Sequence, residues 1–465
     1  MDQTLENTGD SPEERGDLSA TSPHWKAGPF RVRLPFVHYR LEWPDYTQGL
    51  LMCAVDLAAI PMMVDLLGMP FEVALAVVLL NGILYLTHHL LGDPVVPGWI
   101  TPAIPLVIAY CETFPEGPER VHALISFQIL LGVFSVLLGV TGLARRVVGA
   151  IPPAIKAGVL MGAGIAAVQT VFGEGGEFET FPVTISIAIG LAFFLMFSRH
   201  FSSWRERSRF AAQIGKLGVL PAILLAVVVA PLAGEAEWSE VEWGLIQPDF
   251  VTLWTDYTIF GLGLPPASMF LTAVPTVLAA YIVVFGDTLQ ANSVLKQADR
   301  VREDEDVTYD PDRSHLIFGG RNALMGVIGP DVAMCGPSWS AMLVVITERF
   351  KEGRRAMGSL FGGAGSFRWG TNTGLVLMPI VTLVKPVLGV ALALTLLIQA
   401  YVSVRIGIME ARSQRDLGIA GVTAGALALL GAAWGLGVGV LMCLVIYGRD
   451  FFRGEDDGTF AESPE

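Results

Sequence analysis

Long apolar runs, separated by short polar stretches, recur from residue 48 to residue 447. A helix that crosses a bilayer needs ~20 apolar residues, with a range near 17–25. Runs at 48–66, 71–91, 122–142, 149–172, 180–198, 215–233, 267–290, 314–329, 356–382, 386–404, 417–434 and 434–447 are predicted to cross. Two further apolar segments are too short or too broken to cross as simple helices. Segment 99–111 contains Thr101-Pro102-Ala103-Ile104-Pro105, and segment 334–347 opens with Cys335-Gly336-Pro337-Ser338. With both included, the chain makes about fourteen crossings.

Basic residues test that count, because short loops rich in Lys and Arg stay in the cytoplasm. Lys26, Arg31, Arg33 and Arg40 precede the first run. Arg145 and Arg146 follow the fourth crossing, and Arg199, Arg205, Arg207, Arg209 and Lys216 follow the sixth. Lys296, Arg300 and Arg302 follow the eighth, Arg349, Lys351, Arg354 and Arg355 the tenth, and Arg405, Arg412 and Arg415 the twelfth. Each cluster follows an even-numbered crossing. The opposite loops are acidic or aromatic, with Glu174, Glu177 and Glu179 in one and Trp238, Trp243 and Trp254 in another. Both termini are therefore expected in the cytoplasm, with the protein in the plasma (inner) membrane.

The two broken segments are the third and tenth crossings, seven apart. The fifth and twelfth begin alike, Pro153-Ala154-Ile155-Lys156-Ala157-Gly158 and Pro386-Val387-Leu388-Gly389-Val390-Ala391. A seven-crossing repeat must insert upside down relative to its partner. Interruptions at matching places in two halves point to a transporter site at the bilayer midplane. Irregular backbone is tolerated there only where protein or water covers it.

Composition agrees. Of 465 residues, 52% are hydrophobic and only 16% charged, against roughly 25% charged in soluble domains. That excludes a nucleic-acid binder and a secreted disulfide scaffold. The formal net charge is −14, and the polar stretches at 1–25 and 449–465 supply −9 of it, so both read as disordered tails. No cleavable signal peptide is visible. Cys53, Cys111, Cys335 and Cys443 lie in apolar stretches without paired spacing, which indicates neither a disulfide framework nor a zinc site. His88 and His89 end the second run without a metal-ligand partner at helical spacing and are expected at the surface.

Several spaced motifs carry a family resemblance across about residues 48–447. Arg313-Ser314-His315-Leu316-Ile317-Phe318-Gly319-Gly320 and Leu324-Met325-Gly326-Val327-Ile328-Gly329 are one pair. Lys385-Pro386-Val387-Leu388-Gly389-Val390-Ala391-Leu392, Ile151-Pro152-Pro153 with Gly158 and Gly162, Val96-Pro97-Gly98-Trp99-Ile100-Thr101, and Gly286-Asp287 are the others. In these the chain resembles the nucleobase–ascorbate (uracil/xanthine) permease family and, more distantly, the sulfate permease and bicarbonate transporter groups that share its fold. The resemblance implies an all-α polytopic protein of two inverted seven-span repeats with two half-helices. It divides the chain into a cytoplasmic tail and basic pre-membrane segment (1–45), core spans 1–4 (48–143), gate spans 5–7 (148–233), an extracytoplasmic loop (234–266), core spans 8–11 (267–383), gate spans 12–14 (385–447) and an acidic tail (448–465). It also implies a homodimer through the gate, and a substrate held between the third and tenth segments beside the eighth span.

The departures from that family concern the substrate. Nucleobase members place a carboxylate three residues before the Gly-Asp pair, where this chain has Val283, and Glu or Gln on the tenth segment, where it has Ser338 or Trp339. Their Gln-His of the first span is replaced near Leu51-Met52, with Asp56 following. Ring N–H donors left without acceptors cost roughly 1–3 kcal/mol each. Helix N-termini carry about +0.5 charge and free N–H groups, which favour an anion.

The substrate-binding residues are therefore expected to be Thr101, Pro102, Ala103, Val283, Ser338, Trp339 and Ser340, with Arg321 near. Thr and Ser at these places equally serve as helix caps. Arg321 lies about eight residues into its span, ~12 Å at helical rise, where a charge faces a partner or a cavity. It is expected to contact an anion or to pair with Asp287 or Asp331. Asp287 and Asp56 are expected to carry a coupling H⁺ or Na⁺, with Asp65 at the outer surface. No other cofactor is expected.

The chain is thus read as a secondary active transporter of a small anionic solute, a symporter or exchanger of elevator type. A proton-coupled nucleobase permease and an anion channel are the alternatives. No reactive cluster points to an enzyme, and no nucleotide-binding loop to ATP-driven transport.

Overall fold

The computed structural model describes residues 23–448 apart from 145, 147–150, 303, 306 and 308. The segments 1–22 and 449–465, which hold nearly all of the two tails expected to be disordered, lie outside the described residues. The fold is helical with one addition to the all-α expectation. Strands β1 (Trp25–Ala27) and β2 (Phe30–Val32) form a hairpin that turns at Gly28, φ 60°. Arg31 and Arg33 donate backbone N–H bonds to Leu91 and Leu90 at 3.0 and 2.8 Å, so the basic pre-membrane segment is docked.

The first apolar run forms α1 (Trp43–Leu57) and α2 (Ala59–Leu67), which meet at Ala58. Pro61 explains the break: it offers no N–H to Leu57, and its ring crowds that carbonyl. Helix α3 (Phe71–Leu90) follows, then the short α4 (Ile104–Cys111) and α5 (Pro118–Thr141). Next come α6 (Pro153–Phe172), α7 (Glu177–Thr180), α8 (Pro182–Phe197), α9 (Arg199–Arg207), α10 (Arg209–Lys216) and α11 (Leu220–Ala233). A long connection holds α12 (Phe250–Asp256) and α13 (Ile259–Leu262). The rest comprises α14 (Ala267–Val301), α15 (Pro311–Ile328), α16 (Ser340–Lys351), α17 (Leu360–Val376), α18 (Met378–Val384), α19 (Leu388–Glu410), α20 (Gln414–Leu430) and α21 (Ala432–Tyr447).

Among the described residues, six helical stretches are long and apolar enough to cross a membrane unaided, and α8 with α9, bent by 59°, forms a seventh. Residues 101–111, α11 and α21 are shorter apolar helices. The chain is a multi-pass membrane protein built of apolar helices.

Packing divides the helices into two groups. In the first, α5 lies along α15 and α14, while α17 lies along α1 and α3. Gly49, Gly370 and Gly374 allow the α1–α17 approach: a Cβ at Gly49 would stand 2.0 Å from the Phe367 carbonyl oxygen. In the second group, α6 packs on α19 and α20, α20 on α21, and α8 on α11 and α19.

At one end of the first group, charged side chains knit the N-terminal segment to it. Arg349 bridges Glu42 at 3.1 Å and Asp45 at 2.8 Å. Arg302 donates to the Met357 carbonyl at 2.7 Å and to Asp304 at 2.7 Å, which holds the Asp304 carboxyl below its ordinary range. At the other end the connection 234–266 is stitched down. Ile246 donates to Val376 at 3.1 Å, Met378 to Gly244 at 3.0 Å and Asp249 to Glu72 at 3.1 Å.

Candidate substrate site between the half-helices

The two interrupted segments meet. Residues before α4 and before α16 run antiparallel, bridged at Gly98 and Gly336. Gly336 donates to Gly98 at 2.7 Å, Trp339 to Val96 at 2.6 Å and Ile100 to Ala333 at 3.2 Å. Glycine is required where the segments touch: a Cβ on Gly98 would lie 2.6 Å from the Trp339 Cβ. A 3-10 turn, Thr101–Ala103, leads into α4, and α16 starts straight after Trp339. Helix α14 runs beside the 3-10 turn, α4 and α16, and the turn also touches α6 and α19 of the second group.

The two helix starts differ in their donors. At 102–105, Pro102 and Pro105 have no N–H, Ala103 donates to Ile100 at 2.9 Å, and Ile104 donates to Thr101. In α16 the first N–H to find a carbonyl is that of Leu343, which donates to Trp339 at 2.9 Å. Ser340, Ala341 and Met342 therefore hold the N-terminal amides that a helix leaves over, and Trp339 gives them no side-chain cap. The Ser338 and Ser340 hydroxyls are buried with no hydrogen-bond partner among the described residues. Thr101 and Trp339 are half-buried, and Pro102, Ala103 and Val283 are buried.

Charge gathers behind Trp339. Arg368, on α17, is wholly buried and donates through Nη1 to Asp56 at 3.1 and 3.4 Å, and through Nη2 to the Pro97 carbonyl. Its guanidinium lies 4.0 Å from the Tyr85 ring centre and 5.4 Å from that of Trp339. Arg321 lies 3.9 Å from the same Tyr85 ring, so one ring serves both guanidiniums. Buried cation–π contacts of this kind contribute ~2 kcal/mol or more. Arg321 donates to the Asn81 carbonyl at 3.1 Å and to the Asn81 side-chain oxygen. The Asn81 amide in turn donates to Asp331. Arg321 Nε and Nη1 and Arg368 Nε have no partner among the described residues.

These contacts revise the expectations for Arg321 and the histidines. Arg321 bonds Asn81, lies within electrostatic reach of Asp331, and among the described residues makes no ion pair with Asp287. His88 and His89 are fully buried, contrary to the surface placement expected for them, because the chain doubles back after α3 and covers them. Asp56 stands in an ion pair with Arg368. Asp287 is half-buried on α14 with no hydrogen bond or ion pair among the described residues, and Asp65 is exposed. Arg368 itself is the main addition. The signal was present: a charge eight residues past Leu360, inside an apolar, glycine-rich run.

No family model matches the chain, and no curated protein matches it in sequence. Solved structures do share its fold. One is the transmembrane domain of a cyanobacterium bicarbonate transporter, BicA, at 14% identity and a TM-score of 0.53, covering 86% of this chain and 99% of that one. Another is SLC26A9, at 16% identity and a TM-score of 0.53, covering 87% of this chain and 65% of that one. The chain therefore has the fold of SLC26/SulP anion transporters.

Proposed function

We propose that the protein is a secondary active transporter of a small anion, an organic carboxylate or sulfonate or an inorganic oxyanion, held at the start of α16. The observation that carries this reading is a set of buried donors without acceptors. The Ser338 and Ser340 hydroxyls and the α16 amides flank Trp339, whose ring lies 5.4 Å from the buried Arg368 guanidinium. One charge-assisted hydrogen bond contributes ~1.5–3 kcal/mol, and a helix terminus ~0.3–2 kcal/mol. Two or three such contacts suffice for micromolar-to-millimolar binding. A nucleobase would meet apolar Val283 where its N–H groups need an acceptor.

In this reading the chain makes fourteen crossings as two inverted repeats, with both termini in the cytoplasm. The first packing group (48–143 and 267–383) is the core, and the second (148–233 and 385–447) is the gate. The core moves as an elevator against the gate and carries Thr101–Ala103 past α6 and α19. The gate also supplies a homodimer surface, where an apolar groove of about 680 Å³ between α6, α8 and α19 is lined by Ile165, Val168, Phe193, Tyr401 and Val404.

Thermal unfolding against sulfate, bicarbonate, dicarboxylates, sulfonates and nucleobases tests the substrate class. Stabilisation by at least one anion is expected, and stabilisation by uracil or xanthine alone overturns the reading. Asp287 and Asp56 are the proposed coupling acids. Asp287→Asn is expected to abolish gradient-driven accumulation and to leave the protein folded. Accumulation with unchanged pH and sodium dependence makes Asp287 structural. A conductance that persists without any coupling gradient marks a channel.

A further inference from the structure

We infer that His88, Asp93 and Cys335 form a proton-binding relay that ties the protonation of a buried imidazole to the bridge between the two half-helix segments. Asp93 Oδ2 accepts from Ser314 at 2.7 Å and faces His88 Nδ1 at 3.0 Å. On the other side of the ring, His88 Nε2 faces Cys335 Sγ at 3.5 Å. All three side chains are buried to 1% exposure or less. The same thiol lies 3.2 Å from the carbonyl oxygen of Gly336, the residue that bridges Gly98. Asn322 clamps the Cys335 backbone on both sides, accepting from its N–H at 2.8 Å and donating to its carbonyl at 2.7 Å.

Two features set this cluster apart from a structural hydrogen-bond network. Asp93 Oδ1 is buried with no partner among the described residues. An unmet buried oxygen costs more than a met one returns. The thiol also has two acceptors within reach and one hydrogen. With His88 neutral, Nδ1–H donates to Asp93 and the thiol S–H donates to Nε2. A proton delivered by hydronium, which leaves as water, bonds to Nε2, and the S–H turns to the Gly336 carbonyl while Nε2–H donates to sulfur. No other bond breaks and nothing is oxidised.

The surrounding charges couple this step to an anion. His89, Arg321 and Arg368 lie within electrostatic reach of His88. Tyr309 and His315 lie within reach of Asp93. A proton on His88 adds positive charge beside two guanidiniums, and an anion at the start of α16 offsets it. Each ligand therefore raises the affinity for the other by the same factor.

The coupling arm of this inference rests on the anion reading, and the proton arm does not. For the proton arm, the full chain carries ¹⁵N-histidine in lipid nanodiscs, and imidazole signals are followed from pH 5 to pH 8. A titrating signal that Asp93→Asn shifts and His88→Gln removes is expected. A His88 signal locked in one protonation state across that range overturns the relay. For the coupling arm, proteoliposomes containing pyranine receive inward gradients of ³⁵S-sulfate, ³⁶Cl-chloride or ¹⁴C-isethionate. In His88→Gln, proton entry per anion should fall more than tenfold, while tracer exchange at equal pH stays within threefold of wild type. Cys335→Ser should keep both, because a hydroxyl can also donate to Nε2. An unchanged proton-to-anion ratio in His88→Gln, or loss of tracer exchange together with proton entry in a folded protein, refutes the coupling. If none of the three anions enters wild-type vesicles, the anion reading fails for this panel and the titration still decides the relay.

Discussion

The starts of α4 and α16 are related by position and opposite in chemistry. Both follow an extended segment, and those segments pair through Gly98 and Gly336. At α4, two prolines and two internal hydrogen bonds use up the donors at 102–105. At α16, Pro337 precedes the helix, so the leftover amides and two hydroxyls remain available. Proline suits a helix start because its missing N–H costs nothing there, yet each proline also removes a donor from a would-be anion site. The pair is thus one backbone plan used for two purposes. At α4 the donors are used up where the turn meets α6 and α19, and at α16 they are left over.

The largest effect that sharpens this contrast lies behind α16. Arg368→Gln leaves Asp56 buried without its partner, a change that costs ~3–5 kcal/mol. A large fall in melting temperature is expected, mostly recovered in Asp56→Asn/Arg368→Gln. If the single and double variants melt together, the pair is not a structural unit. Next is Ser338→Ala, expected to weaken anion binding about tenfold, ~1.4 kcal/mol, in isothermal titration with whichever panel anion stabilises the wild type. Thr101→Val should give the smallest change, under about twofold. Equal losses at Thr101 and Ser338 would mean that the two starts hold the ligand alike.

Much of this architecture is readable in the sequence because punctuation residues act locally. Pro102, Pro105, Gly336 and Pro337 mark chain breaks and helix starts, so both short segments were visible. The exhaustion of donors at 102–105 was readable too, from the two prolines. What local pattern does not carry is partner choice across hundreds of residues. Nothing near Arg321 names Asn81, and nothing near Asp56 names Arg368, because the α1–α17 approach depends on glycines at 49, 370 and 374 acting together. His88 and His89 appeared exposed for a related reason. They end an apolar run, and their neighbours include Cys335 for His88 and Tyr39 and Gly365 for His89, which only the folded chain brings near.

The connection between α11 and α14 sets a mechanical limit. Glu235 is held to the start of α8, accepting from Val183 and Thr184 at 2.6 and 2.9 Å, within the second packing group. Ser239 is held to the end of α18, donating to the Leu383 carbonyl at 2.7 Å, and from Gly244 onward the chain is bonded to the first group. Only Ala236, Glu237 and Trp238 lie between these two anchors. A fully extended chain spans about 3.3–3.6 Å per residue, so Glu235 and Ser239 can separate by at most ~14 Å. Unless an anchor lets go, these few residues are a tether that caps any separation of the two helix groups at that point.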